Sequence, residues 1–344
     1  MSTSVLSPDA AVEGATDAGQ PHELIWSLTN AWVPSRCLQL IAALGVADQI
    51  DEEPLSPEAL AERLHLDANA LDRMLSLLAS HGVFARGSRG YTHTASSRLL
   101  RRDQPGSMWA FPAMNGLPFA LGAYSNLEHS LRTGAAAIER VEPGGLWTYL
   151  DDRPDEAQIF AQAMEGKAAG DVAAVRSAYD FSRYQTIADI GGGRGHLLRA
   201  VLEDAPRSRG ILFDLPQVLD SLDVKDGRLR LHPGDFFADP LPSADLYVLM
   251  EILHDWDDAD CVRILTAIRQ ASAPGAKLIV IEGGIAERGH DVAGHNLDVL
   301  MLAVTGGRER TTAELDELFG QAGFSNATAI ELAGRMRILE ATSV

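Results

Sequence analysis

The chain has 344 residues, which is long enough for two domains that each bury their own core. Its formal net charge is −19. This charge would repel phosphate backbones and anionic membrane surfaces, so we expect no nucleic acid and no membrane as partners. The two cysteines form no Cys-x-x-Cys pair and predict neither a disulfide framework nor a zinc site. Without a basic leader or a long apolar run, a cytoplasmic protein is expected.

The N-terminal segment divides into a polar part and an apolar part. Residues 1–20 are small, polar and acidic without periodicity, and we expect a disordered tail. From residue 21 to Gly45, apolar side chains recur at helical intervals and make helices too apolar for a free surface. These helices either pair with a second copy of the chain or belong to an ordinary core.

Two helices and a hairpin are predicted next. Ser56 precedes Pro57 at one helix start, a second helix spans Asp67 to Ser80, and two short strands flank the glycines near residue 90. This order is typical of a winged-helix module, which either binds DNA or serves as a scaffold for dimerisation. Arginines in the hairpin region favour DNA, whereas acids in the second helix would face phosphates unfavourably.

Residues 104–180 are rich in aromatic and sulfur-containing side chains at helical spacing. Such side chains form either a core or the lining of an apolar ligand cavity, and both interpretations stay open. The residues in question are Trp109, Phe111, Met114, Phe119, Tyr124, Trp147, Phe160 and Met164.

A buried strand, a glycine-rich turn and a helix are predicted in residues 185–199. Glycine permits a positive φ and a close approach of a ligand to the backbone, so the pattern favours a nucleotide-type site over a purely structural turn. The glycines include Gly191 and Gly193, but a dinucleotide fingerprint would need a third glycine where His196 stands. A dinucleotide is therefore not the expected ligand.

Further apolar runs at 210–215, 245–250 and 277–282 read as buried strands separated by helices. This alternation predicts an α/β fold with a doubly wound, mostly parallel sheet, whose ligands bind at the carboxyl ends of the strands. The polar or glycine positions at those ends are Gly191, Asp214, Asp235, residues 251–254 and Glu282. Asp214 also has the spacing of an acid that binds ribose hydroxyls.

The most specific string is Ile252-Leu-His-Asp-Trp-Asp-Asp258. Its acids suit the first turn of the following helix, because carboxylates favour the positive helix terminus. That explanation leaves out His254, which lies at a strand end and can accept a proton near neutral pH. A structural histidine or a Mg²⁺ ligand are the alternatives.

With these motifs in order, the chain from about residue 21 to its end resembles the S-adenosylmethionine-dependent small-molecule O-methyltransferases of the plant caffeate and flavonoid type and their bacterial natural-product relatives. The matching motifs are Asp189-Ile-Gly-Gly-Gly-Arg-Gly195, Phe213-Asp-Leu-Pro216, Gly234-Asp-Phe-Phe237, Leu253-His-Asp-Trp256, Ile279-Val-Ile-Glu282, Leu297-Asp-Val-Leu-Met301 and Gly306-Gly-Arg-Glu-Arg-Thr311.

The resemblance implies S-adenosylmethionine as cofactor, no metal, and a Rossmann-like methyltransferase sheet behind a winged-helix-like dimerisation domain. The cofactor-binding residues that it implies are Gly191, Gly193, Asp214 for the ribose, and Asp235 and Phe236 beside the adenine. By the same resemblance, His254 is the general base, and Glu282 and Glu309 are the acids that orient it.

The expected reaction is methylation of a phenolic or other acidic hydroxyl of an aromatic secondary metabolite by a homodimer. We expect a dimerisation domain at 21–103, linking helices at 104–180 and a catalytic domain at 181–344. The expected acceptor-binding residues are Phe160, Met164, Asp298 and Met301.

One departure from the family pattern and two alternative functions remain. Plant members often carry a lysine four residues before the histidine, where this chain has Met250, so an apolar contact would replace a charged one beside the cofactor. Some bacterial relatives use the bound cofactor for hydroxylation or rearrangement instead of methylation. A winged-helix DNA-binding regulator is the third possibility.

Overall fold

The computed structural model describes residues 21–220, 222–285 and 291–344. The tail expected at residues 1–20 lies outside the described residues. None of the helices in these ranges combines the length and the apolar character that a membrane crossing needs.

The N-terminal part contains the predicted helices and hairpin. Its elements are α1 (Pro21–Asn30), α2 (Trp32–Ala43), α3 (Pro57–Leu64), α4 (Ala68–Ser80), β1 (Phe84–Gly87), β2 (Gly90–His93) and α5 (Ala95–Arg98). The Ser56 hydroxyl caps α3 by accepting from the Ala59 N–H at 3.3 Å, and Asp67 caps α4 by accepting from the Ala70 N–H at 2.8 Å. The predicted order of helix, helix and hairpin is confirmed.

The arginines around the hairpin are each paired with an acid. The pairs are Arg86–Asp72 (3.0 Å), Arg89–Glu53 (3.4 Å), Arg98–Glu52 (3.6 Å), Arg101–Asp103 (2.8 Å) and Arg102–Asp48 (3.6 Å). Because the positive charges are compensated within the chain, this surface offers phosphates little net attraction.

The first helix leaves its apolar side chains in solvent. In the single chain α1 buries none of its residues, and Ile25, Trp26 and Leu28 are 65%, 73% and 66% exposed. The core interpretation is therefore wrong for α1. A contiguous apolar surface of this kind marks an interaction site.

A group of helices links this part to the sheet. They are α6 (Ala110–Asn115), α7 (Pro118–Ser125), α8 (Leu127–Thr133), α9 (Gly145–Asp151) and α10 (Pro154–Ala178). Their apolar faces form one buried cluster, which also includes Ala303 and Val304 from a helix near the C-terminus. Segments far apart in sequence thus meet in this region.

The remaining elements alternate between strands and helices before the chain ends in a hairpin. They are β3 (Thr186–Ile190), α11 (His196–Asp204), β4 (Arg209–Asp214), α12 (Pro216–Leu219), β5 (Leu229–Pro233), β6 (Leu246–Met250), α13 (Asp258–Ala271), β7 (Lys277–Glu282), α14 (Val292–Val304), α15 (Thr312–Gln321), β8 (Thr328–Glu331) and β9 (Arg337–Thr342).

The seven strands form one sheet in the order β5-β4-β3-β6-β7-β9-β8. Neighbours from β5 to β7 are parallel, whereas β9 runs antiparallel to β7 and β8. α10 and α11 cover one face, and α13 and α15 cover the other. The predicted doubly wound, mostly parallel α/β sheet is confirmed. Strand order reverses between β3 and β6, which opens a crevice at their carboxyl ends.

Candidate active site

The glycine turn after β3 forms the floor of this crevice. Gly191, Gly193 and Gly195 have φ of 70°, 58° and 73°, a region that side chains other than glycine rarely adopt. A Cβ on Gly191 would lie 2.7 Å from Cδ1 of Ile252 and 3.7 Å from the ring of Phe236. A side chain at this position would therefore be strained by its backbone and would have to displace the end of the Ile252 side chain.

The predicted ribose acid sits beside this turn. Asp214 ends β4, and its two carboxylate oxygens accept the N–H groups of Gly193 and Leu215, both at 2.7 Å. Burial raises the pKa of Asp214, and these two donors oppose the rise. The carboxylate is thus held in one orientation, with lone pairs left for further donors.

Asp235 and Phe236 follow β5, on the next strand end. Asp235 accepts the N–H of Phe237 at 2.8 Å, which tightens the loop. The Phe236 ring meets Trp256 edge to face, with 5.8 Å between ring centroids. The structure therefore brings Gly191, Asp214 and Phe236 to one edge of the sheet.

His254 lies in a short 3₁₀ turn after β6 and is only 5% exposed. Its Nδ1 is 2.8 Å from Oε1 of Glu309, and its Nε2 is 3.8 Å from Oδ1 of Asp255. The first contact is a hydrogen bond and the second is too long for one. The Glu309 contact therefore fixes the ring and leaves Nε2 available.

The two glutamates expected to orient His254 act at different atoms. Glu309 contacts the imidazole, whereas Glu282, at the end of β7, accepts the backbone N–H of His254 at 3.1 Å. The backbone N–H of Glu309 in turn donates to Asp298 at 2.9 Å. Glu282 thus positions the turn, and Glu309 positions the ring.

The surrounding carboxylates control the proton affinity of His254. Burial by itself lowers the pKa of this histidine, but Asp255 first, then Glu309, Glu282 and Glu251, raise it to about 9. The imidazolium is therefore the favoured form at neutral pH when the site holds no ligand. A positive charge placed nearby would reduce this preference.

Sequence reasoning did not identify Arg310 as a site residue. Its guanidinium is 1% exposed and donates to the carbonyls of Leu253 (2.8 Å) and Trp256 (2.7 Å), and also to Asp258 (2.7 Å). It thereby clamps both sides of the turn that carries His254. Its place in the Gly306–Thr311 motif was the available signal.

Aromatic side chains connect the crevice at the carboxyl ends of β3 and β6 with the linking helices. Trp147 of α9 stacks on Trp256 at 6.2 Å and meets Phe160 of α10 edge to face at 6.0 Å. Phe160 and Met164 pack against the cluster of the linking helices. The sequence left Trp147 open between core and cavity lining, and Trp256 is the member of this array for which it predicted no contact with the acceptor.

The other two predicted acceptor residues lie on α14. Asp298 is tied to the Glu309 backbone, and Met301 is 8% exposed. α14 packs against α7 and α8, so it brings these residues to the linking helices. Among the described residues, no group of three or more His, Cys, Asp or Glu side chains is arranged to hold a metal ion.

Comparison with known proteins identifies the family. Residues 124–325 match the O-methyltransferase domain, and residues 26–103 match the O-methyltransferase dimerisation domain. The chain belongs to the O-methyltransferase family. Its winged-helix-like part is the dimerisation domain of that family.

Individual relatives agree with this assignment over nearly the full chain. Phenazine O-methyltransferase PhzM of Lysobacter antibioticus is 34% identical over 328 residues, which cover 93% of this chain and 96% of that protein. The structure of human N-acetylserotonin methyltransferase in complex with SAM has a TM-score of 0.87 at 26% identity and covers 95% of this chain and 99% of its own.

A second similar structure contains S-adenosylmethionine together with an aromatic hydroxy acid. It is an O-methyltransferase from neocarzinostatin biosynthesis in complex with S-adenosylmethionine and 2-hydroxy-5-methyl naphthoic acid. It has a TM-score of 0.77 at 32% identity, covering 91% of this chain and 96% of its own. The present chain is accordingly a methyltransferase that uses S-adenosylmethionine, and the glycine turn with its neighbouring acid and aromatic ring fits that cofactor.

Proposed function

We propose that this enzyme methylates a phenolic or other acidic hydroxyl of an aromatic secondary metabolite, with His254 as the general base. The observation that carries the proposal is the buried 2.8 Å contact between Nδ1 of His254 and Glu309, at the same sheet edge as the glycine turn. The relative solved with a hydroxylated naphthoic acid and S-adenosylmethionine supports the acceptor class.

The proposed chemistry follows from the contacts of the imidazole. S-adenosylmethionine supplies an electrophilic methyl group, whereas a phenol with a pKa near 10 is a weak nucleophile until it loses its proton. Nε2 of His254 takes this proton while Nδ1–H donates to Glu309. The Glu309 carboxylate stabilises the resulting imidazolium and fixes the tautomer. Alignment of the acceptor oxygen with the methyl group of the donor supplies the remaining rate enhancement.

We further propose that residues 21–103 dimerise, that residues 104–180 line the acceptor pocket, and that residues 181–344 bind the cofactor and carry the base. Phe160, Met164 and Met301 would provide apolar contact to an aromatic ring. Asp298 would line the same pocket and would also position Glu309 by accepting its backbone N–H. The exposed apolar side chains of α1 support a homodimer. Asp235 and Phe236 would flank the adenine.

The test is His254→Ala, assayed by the methylated product and by the release of S-adenosylhomocysteine from a panel of phenolic acceptors. Turnover should fall by about 10²–10⁴-fold, with donor binding retained. The control is His81→Ala, an exposed histidine at the end of α4. A His254→Ala rate within a fewfold of the wild type would refute the base. A product without an added CH₂ group would favour the non-methylating alternative.

A further inference from the structure

A partly buried ion pair lies next to the crevice, and the only role described for it so far is the contribution of Glu251 to the raised pKa of His254. Glu251 is the residue after β6, and its carboxylate accepts from the ammonium group of Lys167 on α10. The side chains of Lys167 and Glu251 are 25% and 15% exposed. Taking both charges out of water has a desolvation cost, so a pair kept at such a site invites a functional explanation.

The backbone of Glu251 is strained at this point. Its φ is 53°, in the left-handed region that L-residues adopt at a cost of about 1–2 kcal/mol. Non-glycine residues in such conformations cluster at ligand sites. The next residue, Ile252, is the one that a Cβ on Gly191 would meet, so Glu251 lies directly beside the glycine turn.

A buried acid near the glycine turn lacks a close hydrogen-bond donor within the described part of the chain, and only a weak contact with the backbone N–H of Leu198 opposes the rise of its pKa. Asp189, at the end of β3, is 2% exposed, and neither of its carboxylate oxygens has a hydrogen-bond partner among the described residues. Burial first, and then Asp214, raise the pKa of Asp189 to about 7. A buried carboxylate without a donor indicates a site completed by a cationic or hydrogen-bond-donating ligand.

Simple tethering of α10 does not account for the pair. The same helix is already held by Arg176, which pairs with Asp204 of α11 at 2.6 Å, and by Glu165, which pairs with Arg194 of the glycine turn at 3.6 Å. These contacts are more exposed than the pair of Lys167 and Glu251. The pair of Lys167 and Glu251 is thus the least exposed of the three, and it is the one beside Ile252 and the glycine turn.

We propose that Lys167 and Glu251 form the binding site for the amino-acid end of S-adenosylmethionine, with Lys167 holding its carboxylate and Glu251 its ammonium group. Asp214 and Phe236 lie on the β4 and β5 side of Gly191, which leaves the β6 side for the amino-acid end. The donor's two charges would replace the two members of the pair, so neither side chain is left buried without a counter-charge. Asp189 adds negative potential near the ammonium group.

The test compares two ligands that differ by the amino-acid end. S-adenosylhomocysteine carries it, and 5′-methylthioadenosine lacks it while keeping the adenosine part. Calorimetric titration of Lys167→Met and Glu251→Gln should show S-adenosylhomocysteine binding weakened by about 10- to 100-fold. Binding of 5′-methylthioadenosine should stay within about threefold of the wild type.

Two controls separate this role from a merely structural one. Arg176→Met removes an ion pair of the same helix away from the crevice and should change neither affinity. Decarboxylated S-adenosylmethionine should be sensitive to Glu251→Gln but not to Lys167→Met. Equal losses for both adenosine ligands, or no loss for either, would overturn the proposal. Because the test measures binding alone, its result is independent of whether His254 is the base.

Discussion

In the proposed mechanism, the protonation state of His254 decides when its imidazole can accept a proton. Its pKa is raised to about 9, chiefly because Asp255 and Glu309 outweigh the effect of burial. The positive sulfonium of the donor would oppose these carboxylates, so donor binding would favour the neutral imidazole that the proposed mechanism requires.

At the residue scale, we predict that Glu309→Gln lowers the pKa of His254, because a carboxylate in direct contact becomes neutral. The rising limb of kcat/KM for the acceptor should move to lower pH by about one unit or more. Its plateau should fall, because the imidazolium loses its stabilising partner. Glu128→Gln, in an exposed pair with Arg132, removes the same charge and should leave the profile unchanged. A limb that stays in place in Glu309→Gln would contradict the assignment.

The same pKa makes a prediction about stability without donor. The folded-state pKa of about 9 exceeds the ordinary histidine value of about 6.5. The stabilisation from the charged ring is therefore fully present below about pH 6.5 and is lost as the pH rises through about 9. Urea unfolding should show wild type losing stability relative to His254→Gln over this window. A constant difference between the two proteins would contradict the raised pKa.

The glycine turn is the element that we propose to hold the donor. We predict that Gly191→Ala both strains the backbone and pushes against Ile252, since the new Cβ would lie 2.7 Å from Cδ1. Stability should fall by more than the roughly 1–2 kcal/mol of a positive-φ alanine, and S-adenosylhomocysteine should bind at least about tenfold more weakly. Urea unfolding and calorimetry measure the two effects.

A matched control for this prediction is Gly134→Ala at the end of α8. Gly134 has a similar φ of 77°, and nothing lies within 4 Å of its added Cβ. This variant should show the backbone cost alone and keep the wild-type donor affinity. Equal donor affinities for Gly191→Ala and Gly134→Ala would mean that the turn does not contact the ligand.

The aromatic array shows how separate elements build one site. Phe236 follows β5, Trp256 follows β6, and Trp147 and Phe160 come from α9 and α10. The sequence predicted site roles for Phe236 and Phe160 and left Trp147 open between core and cavity, but it gave no sign that these rings contact one another. Their contacts arise because the linking helices pack over the carboxyl edge of the sheet, and spacing along the chain does not report that packing.

For the whole molecule, the exposed face of α1 predicts a dimer that depends on apolar burial. Ile25→Glu together with Trp26→Glu should convert the dimer to monomers or raise its dissociation constant by at least about 100-fold, because two charges would enter an apolar interface. Sedimentation at several concentrations measures this change. Leu131→Glu is the control, since that side chain is 87% exposed on α8. A double variant that sediments like wild type would refute the interface.

The distribution of charge also belongs to this scale. The net charge of −19 already argues against nucleic acid. The pairing of Arg86 with Asp72 and of Arg101 with Asp103 shows why even the basic hairpin region does not reverse that argument. The arginines are visible in the sequence, but only the fold shows which acids pair with them.

The sequence by itself determined the local elements and the family. The apolar runs ending at Ile190, Asp214, Met250 and Glu282 predicted the inner strands, because a strand buried on both faces needs a continuous apolar run. β5, β8 and β9 were not predicted, since Arg230 interrupts β5, Glu340 interrupts β9, and β8 is a short strand with only two apolar residues. The order of the motifs indicated S-adenosylmethionine as the cofactor. This signal is visible in the sequence because the residues of each strand, turn and helix are neighbours along the chain.

Tertiary structure alone decided the contacts between distant residues. It assigned Glu309 to the ring of His254 and Glu282 to the backbone, placed Arg310 against the turn that carries His254, and paired Lys167 with Glu251 across 84 positions. Hydrogen bonds and ion pairs depend on distances of about 3 Å, and sequence separation carries no such distance. The sequence therefore indicates which reactive groups are present, and tertiary packing decides which of their atoms come into contact.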